Sequence, residues 1–190
     1  MSHPPNHHDD RPRTAPAGAD AAGNDDPESA ARAICLRMLT TEPRTRAQLA
    51  SALERRGVED DVAQSVLGQL SEAGLIDDAA FAGAWVDSRH AGQGLGRERL
   101  AVELRKRGVD NGIVDEAVGE LDPEQEEATA RGLVRRKLGS TRGKPADTRA
   151  RRVMGMLARK GYPAGLAYRL VREELESEGS SVELPDPDLD

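Results

Sequence analysis

The sequence predicts an all-α protein built from three tandem tri-helical, helix-turn-helix-like repeats. Three observations point there. Phe81, Trp85, Tyr162 and Tyr168 are the only aromatic residues among 190, whereas β-folds lean on aromatic and β-branched side chains. The helix formers Ala, Leu, Arg and Glu are abundant instead. Finally, LASALERRGVEDDVAQSVL (49–67), LAVELRKRGVDNGIVDEAV (100–118) and VMGMLARKGYPAGLAYRLV (153–171) align without gaps. Their glycines Gly57, Gly108 and Gly161 lie 51 and 53 residues apart. A period of that size seen three times calls for a repeat architecture.

The elements follow in chain order. Residues 1–27 are rich in Pro, Ala, Gly, Asp and His. They cannot bury enough surface to offset ordering, so a disordered tail is predicted. His3, His7 and His8 lie there and read as solvated, because nothing fixes their imidazoles around a metal.

The first repeat (28–76) opens with a helix over 28–40 carrying Ile34, Leu36, Met38 and Leu39. Cys35, the one cysteine, excludes an internal disulfide framework and a multi-cysteine zinc site, and reads as a buried, inert thiol. Thr45 and Gln48 form a capping box for the second helix. Leu49 and Leu53 share one face of it. Gly57 ends it in a left-handed conformation, with Arg55 and Arg56 beside the negative end of the dipole. The third helix starts near Glu59.

The second repeat (77–123) opens with a helix over 78–90. Phe81 and Trp85 share its apolar face and read as core, with Arg89 at the edge of the stripe. Gly92, Gly94 and Gly96 (GQGLG) then make a pliable joint; no strand precedes them, so they are no phosphate cradle. Leu100 and Leu104 carry the second helix to Lys106, Arg107 and Gly108, and the third starts near Asp110.

The third repeat (124–176) opens with a helix over 124–138 carrying Leu133, Val134 and Leu138. A long loop, GSTRGKPADT (139–148), follows. It is one residue short of a phosphate loop's glycine spacing, and Pro145 stands where Ser or Thr would bind magnesium. Val153 and Leu157 lead to Arg159, Lys160 and Gly161, and the last helix starts near Pro163. Residues 177–190, acidic and broken by Pro185 and Pro187, are predicted to be a second disordered tail. Units of this size have small cores, so neighbours are expected to pack end to end.

Catalytic chemistry is poorly supplied. His90 is the single histidine of 28–176, and no HExxH, CxxC or GxSxG occurs. The acid pairs Asp60–Asp61 and Asp77–Asp78 read as helix starts. No enzyme activity, metal or cofactor is expected. No stretch approaches the ~20 apolar residues of a membrane helix, and the polar N-terminus has no signal core. A soluble, cytoplasmic monomer is expected.

The net charge of −7 hides an uneven distribution. The two tails are acidic and 28–176 carries +1; within it the repeats carry −1, −4 and +6 in turn. Residues 128–160 hold eleven bases and one acid, Asp147. The bases are Arg131, Arg135, Arg136, Lys137, Arg142, Lys144, Arg149, Arg151, Arg152, Arg159 and Lys160. Uncompensated charge of this kind fits an acidic partner, either protein carboxylates or DNA phosphates. Tyr162 and Tyr168 lie beyond the run, so phosphate or carboxylate contact is expected rather than base stacking.

The stretch DDAAFAGAWVDSRHAGQGLGRERLAVELRKRGVD (77–110) resembles the core motif of the RecX family, regulators of the bacterial recombinase RecA. The matching positions are Asp77, Asp78, Phe81, Ala82, Trp85, Arg89, Gly94, Arg99, Leu100, Leu104 and Gly108. AGLIDD (73–78) resembles that family's junction between its first two units. The resemblance implies an elongated, curved array that binds in the groove of the RecA–DNA filament without catalysis. It also implies roles in DNA repair, recombination and the SOS response. The competing expectation is a sequence-tolerant, DNA-binding helix-turn-helix protein acting through the basic third repeat. Its candidate recognition helices, 59–72 and 110–120, contain no Lys or Arg.

Overall fold

The computed structural model describes residues 26–180. Among them are nine α-helices: α1 (Pro27–Thr41), α2 (Arg46–Glu54), α3 (Asp60–Glu72), α4 (Asp78–Gln93), α5 (Arg97–Lys106), α6 (Asn111–Gly119), α7 (Pro123–Gly139), α8 (Ala146–Lys160) and α9 (Ala164–Ser177). No strand occurs among the described residues. The first helices start at aspartates: Asp26, Asp77 and Asp122 each accept a hydrogen bond from a backbone N–H of the first turn. The capping box of Thr45 and Gln48 is formed in both directions.

Each unit of three helices closes on its own core. Leu49, Leu53, Val66 and Leu67 fill the first, Leu100, Leu104 and Val114 the second, Val153, Leu157, Leu170 and Val171 the third. Cys35 is fully buried in the first core, and burial pushes its thiol pKa up. The first helices keep register as well. Ala31–Cys35–Leu39, Ala82–Val86–His90 and Ala130–Val134–Leu138 occupy equivalent places, 51 and then 48 residues apart.

Most packing lies within units, and the units meet end to end through two equivalent junctions. Thr45 Oγ1 donates to Arg107 O at 2.7 Å; one repeat later Gly96 N donates to Lys160 O at 2.8 Å. Arg46 N donates to Asp78 Oδ1 at 2.9 Å; one repeat later Arg97 N donates to Glu126 Oε1, also at 2.9 Å. Each following unit therefore caps the open N-terminus of the preceding second helix. The second helices stack head to tail, with the C-terminus of α5 on the start of α2 and that of α8 on the start of α5. Opposite ends of the helix dipoles meet.

Glycine is required at these contacts. Gly161 has φ +81°, and a Cβ there would lie 2.5 Å from Arg99 Cβ. Gly57 has a similar φ of +74° but, among the described residues, no neighbour within 4 Å of an added Cβ.

The far end is closed differently. In the repeat register Arg149 stands where Thr45 and Gly96 stand, but α8 begins about one turn earlier. The buried Arg149 donates to Leu138 O at 3.1 Å and to Glu178. In the first two units the equivalent place takes a hydrogen bond with the backbone of the following unit.

Three expectations change. The GQGLG segment is a fixed junction, not a pliable joint: α4 continues to Gln93, Gly94 is left-handed at φ +60°, and Leu95 and Gly96 are buried. A Cβ on Gly96 would lie 2.5 Å from Gly161 O. The loop of the third unit is shorter than 139–148, since α8 starts at Ala146. Structure also continues past 176, because α9 runs to Ser177 and Glu178 is held by Arg149. His3, His7 and His8 lie outside the described residues, as does the acidic stretch 181–190.

Candidate functional site

Three of the family-motif residues, Trp85, Arg89 and Arg99, gather around one carboxylate. Glu103, on α5, accepts from Trp85 Nε1 at 3.1 Å and from Arg89 through Nε at 2.9 Å and Nη2 at 2.8 Å. Arg107 lies over the Trp85 ring at 3.5 Å and donates to Glu103 O at 2.9 Å. Arg99 approaches Glu103 only at 3.7 Å. The Arg89 hydrogen bonds, strengthened by its charge, hold the Glu103 carboxyl below the usual range. This cluster ties α4 to α5.

Sequence reasoning missed Glu103 and the stacking role of Arg107. A signal existed: the repeat register places Glu103 level with Ala52 and Met156, so a carboxylate sits where the other units are apolar. The other motif residues divide by task. Asp77 caps α4 and Asp78 caps α2 across the junction. Leu100 and Leu104 are fully buried, and Gly94 and Gly108 take left-handed conformations.

Phe81 and Trp85 stack with ring centroids 5.8 Å apart. They pack on the core of the second unit, as expected, yet both are only partly buried. With Leu39, Pro43 and Leu75 they line a groove of about 470 Å³ between the first two units. Leu75 is 52% exposed beside it.

The equivalent place between the second and third units has different walls. Gly92, Gly94, Thr129, Leu133, Arg136, Lys137, Met156 and Lys160 line a groove of about 740 Å³. In the register of the first helices, Thr129 and Leu133 replace Phe81 and Trp85, and Arg136 and Lys137 replace Ser88 and Arg89. The groove turns from apolar to cationic. The buried His90 holds the lining residue Thr129: Nδ1 donates to Leu95 O at 2.8 Å, and Nε2 lies 3.0 Å from Thr129 Oγ1.

The eleven-base run does not fold into one open patch. Arg131 pairs with Glu127, Glu173 and Glu174 at 3.1, 2.9 and 3.3 Å. Arg135 grips both oxygens of Glu174 at 3.0 and 2.9 Å. Arg149 is buried, and Lys160 Nζ donates to Gln93 O at 2.6 Å. Among the described residues, Arg136, Lys137, Arg142, Lys144, Arg151, Arg152 and Arg159 form no ion pair. The neutralising acids come mainly from α9, about forty residues downstream of α7.

Glu127 gives this network a pH signature. Hydrogen bonds from Arg169 and Arg131 hold its pKa at about 2. The folded value is depressed below the ~4.3 of an unfolded glutamate, so its contribution is complete above that value and is lost as pH falls through the folded one. Between pH ~4.5 and ~2 the wild type should lose more stability in urea unfolding than Glu127→Gln. Equal losses would contradict the pairing.

Three family models match the chain: RecX, first three-helix domain, over residues 31–70; second three-helix domain over 77–118; third three-helix domain over 124–171. The chain belongs to the RecX family. It is 62% identical over 176 residues to the regulatory protein RecX of Thermobifida fusca, covering 93% of this chain and 95% of that one. The Streptomyces coelicolor regulatory protein RecX is 58% identical over 158 residues, covering 83% and 84%. The crystal structure of RecX from Lactobacillus salivarius shares the fold at a TM-score of 0.74 and 18% identity, covering 80% of this chain and 98% of that one. A second RecX crystal structure matches at TM-score 0.70 and 23% identity, covering 78% and 72%. The chain thus has the RecX architecture of three three-helix domains, and its high identity to proteins named regulatory protein RecX supports a regulatory role. No helix among the described residues is long and apolar enough to cross a membrane.

Proposed function

We propose that the chain is a non-enzymatic regulator that binds in the groove of the RecA–DNA filament and inhibits ATP hydrolysis, strand exchange and co-protease activity. The observation that carries this reading is the match of all three units to RecX domains. The two equivalent junctions add physical support, since a chain of like units suits a partner that repeats along its axis. The apolar groove at Phe81 and Trp85 supplies an anchor for protein. The cationic groove at Arg136, Lys137 and Lys160 supplies contacts for carboxylate or phosphate. Arg142, Lys144, Arg151, Arg152 and Arg159 add further exposed positive charge to the third unit. Packing accounts for the buried titratable groups, because Glu103 is saturated by Arg89 and Trp85 and His90 by Leu95 and Thr129.

A helix-turn-helix reading of DNA sequence has less behind it. Helices α3 and α6 carry no Lys or Arg, and Arg169 of α9 is tied to Glu127. Few donors remain for base edges.

The test is ATP hydrolysis by RecA on single-stranded DNA, titrated with this chain at near-physiological salt. Inhibition is expected well below one chain per RecA protomer. Reversing Arg136 and Lys137 together to Glu should raise the concentration needed about tenfold, or ~1.4 kcal/mol. Undisturbed hydrolysis beside tight DNA binding would sink the regulator reading and favour the DNA-binding one.

A further inference from the structure

We infer that the chain's own acidic segment, residues 181–190, docks in the cationic groove between the second and third units and is held there by Arg136, Lys137 and Lys160. The segment, SVELPDPDLD, carries Glu183, Asp186, Asp188 and Asp190 and no base. It lies outside the described residues; the charge of the groove and the place where the chain leaves the third unit both point to it as the occupant.

The charge on α7 is matched on one face only. Arg131 and Arg135 turn toward α9 and pair with Glu173 and Glu174. Arg136, Lys137 and Ser140 turn toward the groove, where Lys160 of α8 joins them. No carboxylate is among the described residues that line it. Arg136 and Lys137 form no ion pair among the described residues, and Lys160 Nζ bonds only a backbone oxygen, Gln93 O. Like charges gathered this closely repel one another and favour an acidic occupant. After Glu178, the next acids along the chain are those of 181–190.

The exit of the chain puts those acids within reach. Arg149 Nη2 donates both to Leu138 O and to Glu178 Oε2. Glu178 is thus one guanidinium away from the C-terminal end of α7, where Lys137 and Ser140 stand. The described structure stops at Ser180. The segment beyond it spans up to about 33 Å when extended. The groove follows α7 from Ser140 back to Thr129 for only about 16 Å, at 1.5 Å per residue. Tethering also raises the local concentration of the segment to the millimolar range, so contacts too weak for a free peptide suffice.

The walls suit a peptide of this composition. Leu133 and Met156 line the groove beside the three cations. The segment mixes the complementary groups, with Val182, Leu184 and Leu189 set among its acids. Pro185 and Pro187 fix two φ angles and so lower the entropy lost on docking. The consequence for regulation rests on the proposed filament reading: an acidic partner has to displace the segment to reach Arg136 and Lys137. The docking itself does not rest on it.

The experiment treats the full chain with a carbodiimide, which joins a carboxylate to an amine in contact with it, and maps the crosslinks by mass spectrometry. The lysines are Lys106, Lys137, Lys144 and Lys160, so Lys106 on α5 serves as an internal control. Crosslinks from Glu183, Asp186, Asp188 and Asp190 should fall on Lys137 and Lys160 about fivefold more often than on Lys106, and high salt should erase the preference. In the combined variant Glu183→Gln, Asp186→Asn, Asp188→Asn and Asp190→Asn, acetylation of Lys137 and Lys160 should run about threefold faster, as for a site occupied two-thirds of the time. Lys106 should not change. Crosslinks spread evenly over the four lysines, or unchanged acetylation, would overturn the site. Crosslinks that join isotopically distinct chains would overturn it too, since they would seat a second copy in the groove. The same variant should bind RecA filaments more tightly. Selective crosslinks without that gain would keep the docking and remove the groove from the filament reading.

Discussion

Glu103→Ala should destabilise the protein by about 3 kcal/mol, the cost of breaking a largely buried ion pair by removing one partner. Four interactions end on this side chain or its backbone: the Trp85 indole, two Arg89 bonds and the Arg107 guanidinium. Truncation leaves Arg89 and the indole N–H without their acceptor. Because the carboxylate joins α4 to α5, loss should concentrate in the second unit. Urea unfolding followed by Trp85 fluorescence measures it. Glu103→Gln should recover part of the loss by keeping an acceptor for the indole. A cost under ~1 kcal/mol for the alanine variant would place the cluster among surface ion pairs of little worth.

Gly161→Ala should cost about 3 kcal/mol, against about 1 kcal/mol for Gly57→Ala. The two positions have φ of +81° and +74°, so both variants suffer a similar left-handed penalty of roughly 1 kcal/mol. Only at Gly161 does the new methyl meet a neighbouring unit, at the first turn of α5. The additional ~2 kcal/mol is the overpacking cost at that junction. Paired denaturation curves give the difference directly. Equal costs would mean that the junction yields freely and that the array has no defined register.

Much of the fold is legible in the sequence because its signals are local. The glycine period, the leucines four residues before each glycine, and the Thr45–Gln48 box all act within one helix or its ends. The junctions are harder to read. Thr45 advertises a cap, but its hydroxyl also bonds Arg107 O, 62 residues away. Asp78 looks like a first-turn acid of its own helix and serves instead the start of α2. Gly92, Gly94 and Gly96 suggest pliability by composition, whereas Gly94 and Gly96 provide a left-handed turn and a close approach.

The candidate site was legible in part. Counting charge along 128–160 exposes the excess of base but not its neutralisation, since Glu173 and Glu174 arrive from a later helix. Arg131, Arg135 and Arg149 thus belong to the third unit's own packing.

The most direct test of the regulator reading is the affinity of labelled chain for RecA filaments assembled on single-stranded DNA, compared with the same DNA bare, at near-physiological salt. The account predicts distinctly tighter binding to filaments, saturating below one chain per protomer, with Arg136 and Lys137 reversal weakening it. Equal or tighter binding to bare DNA, with no added affinity from the filament, would contradict it.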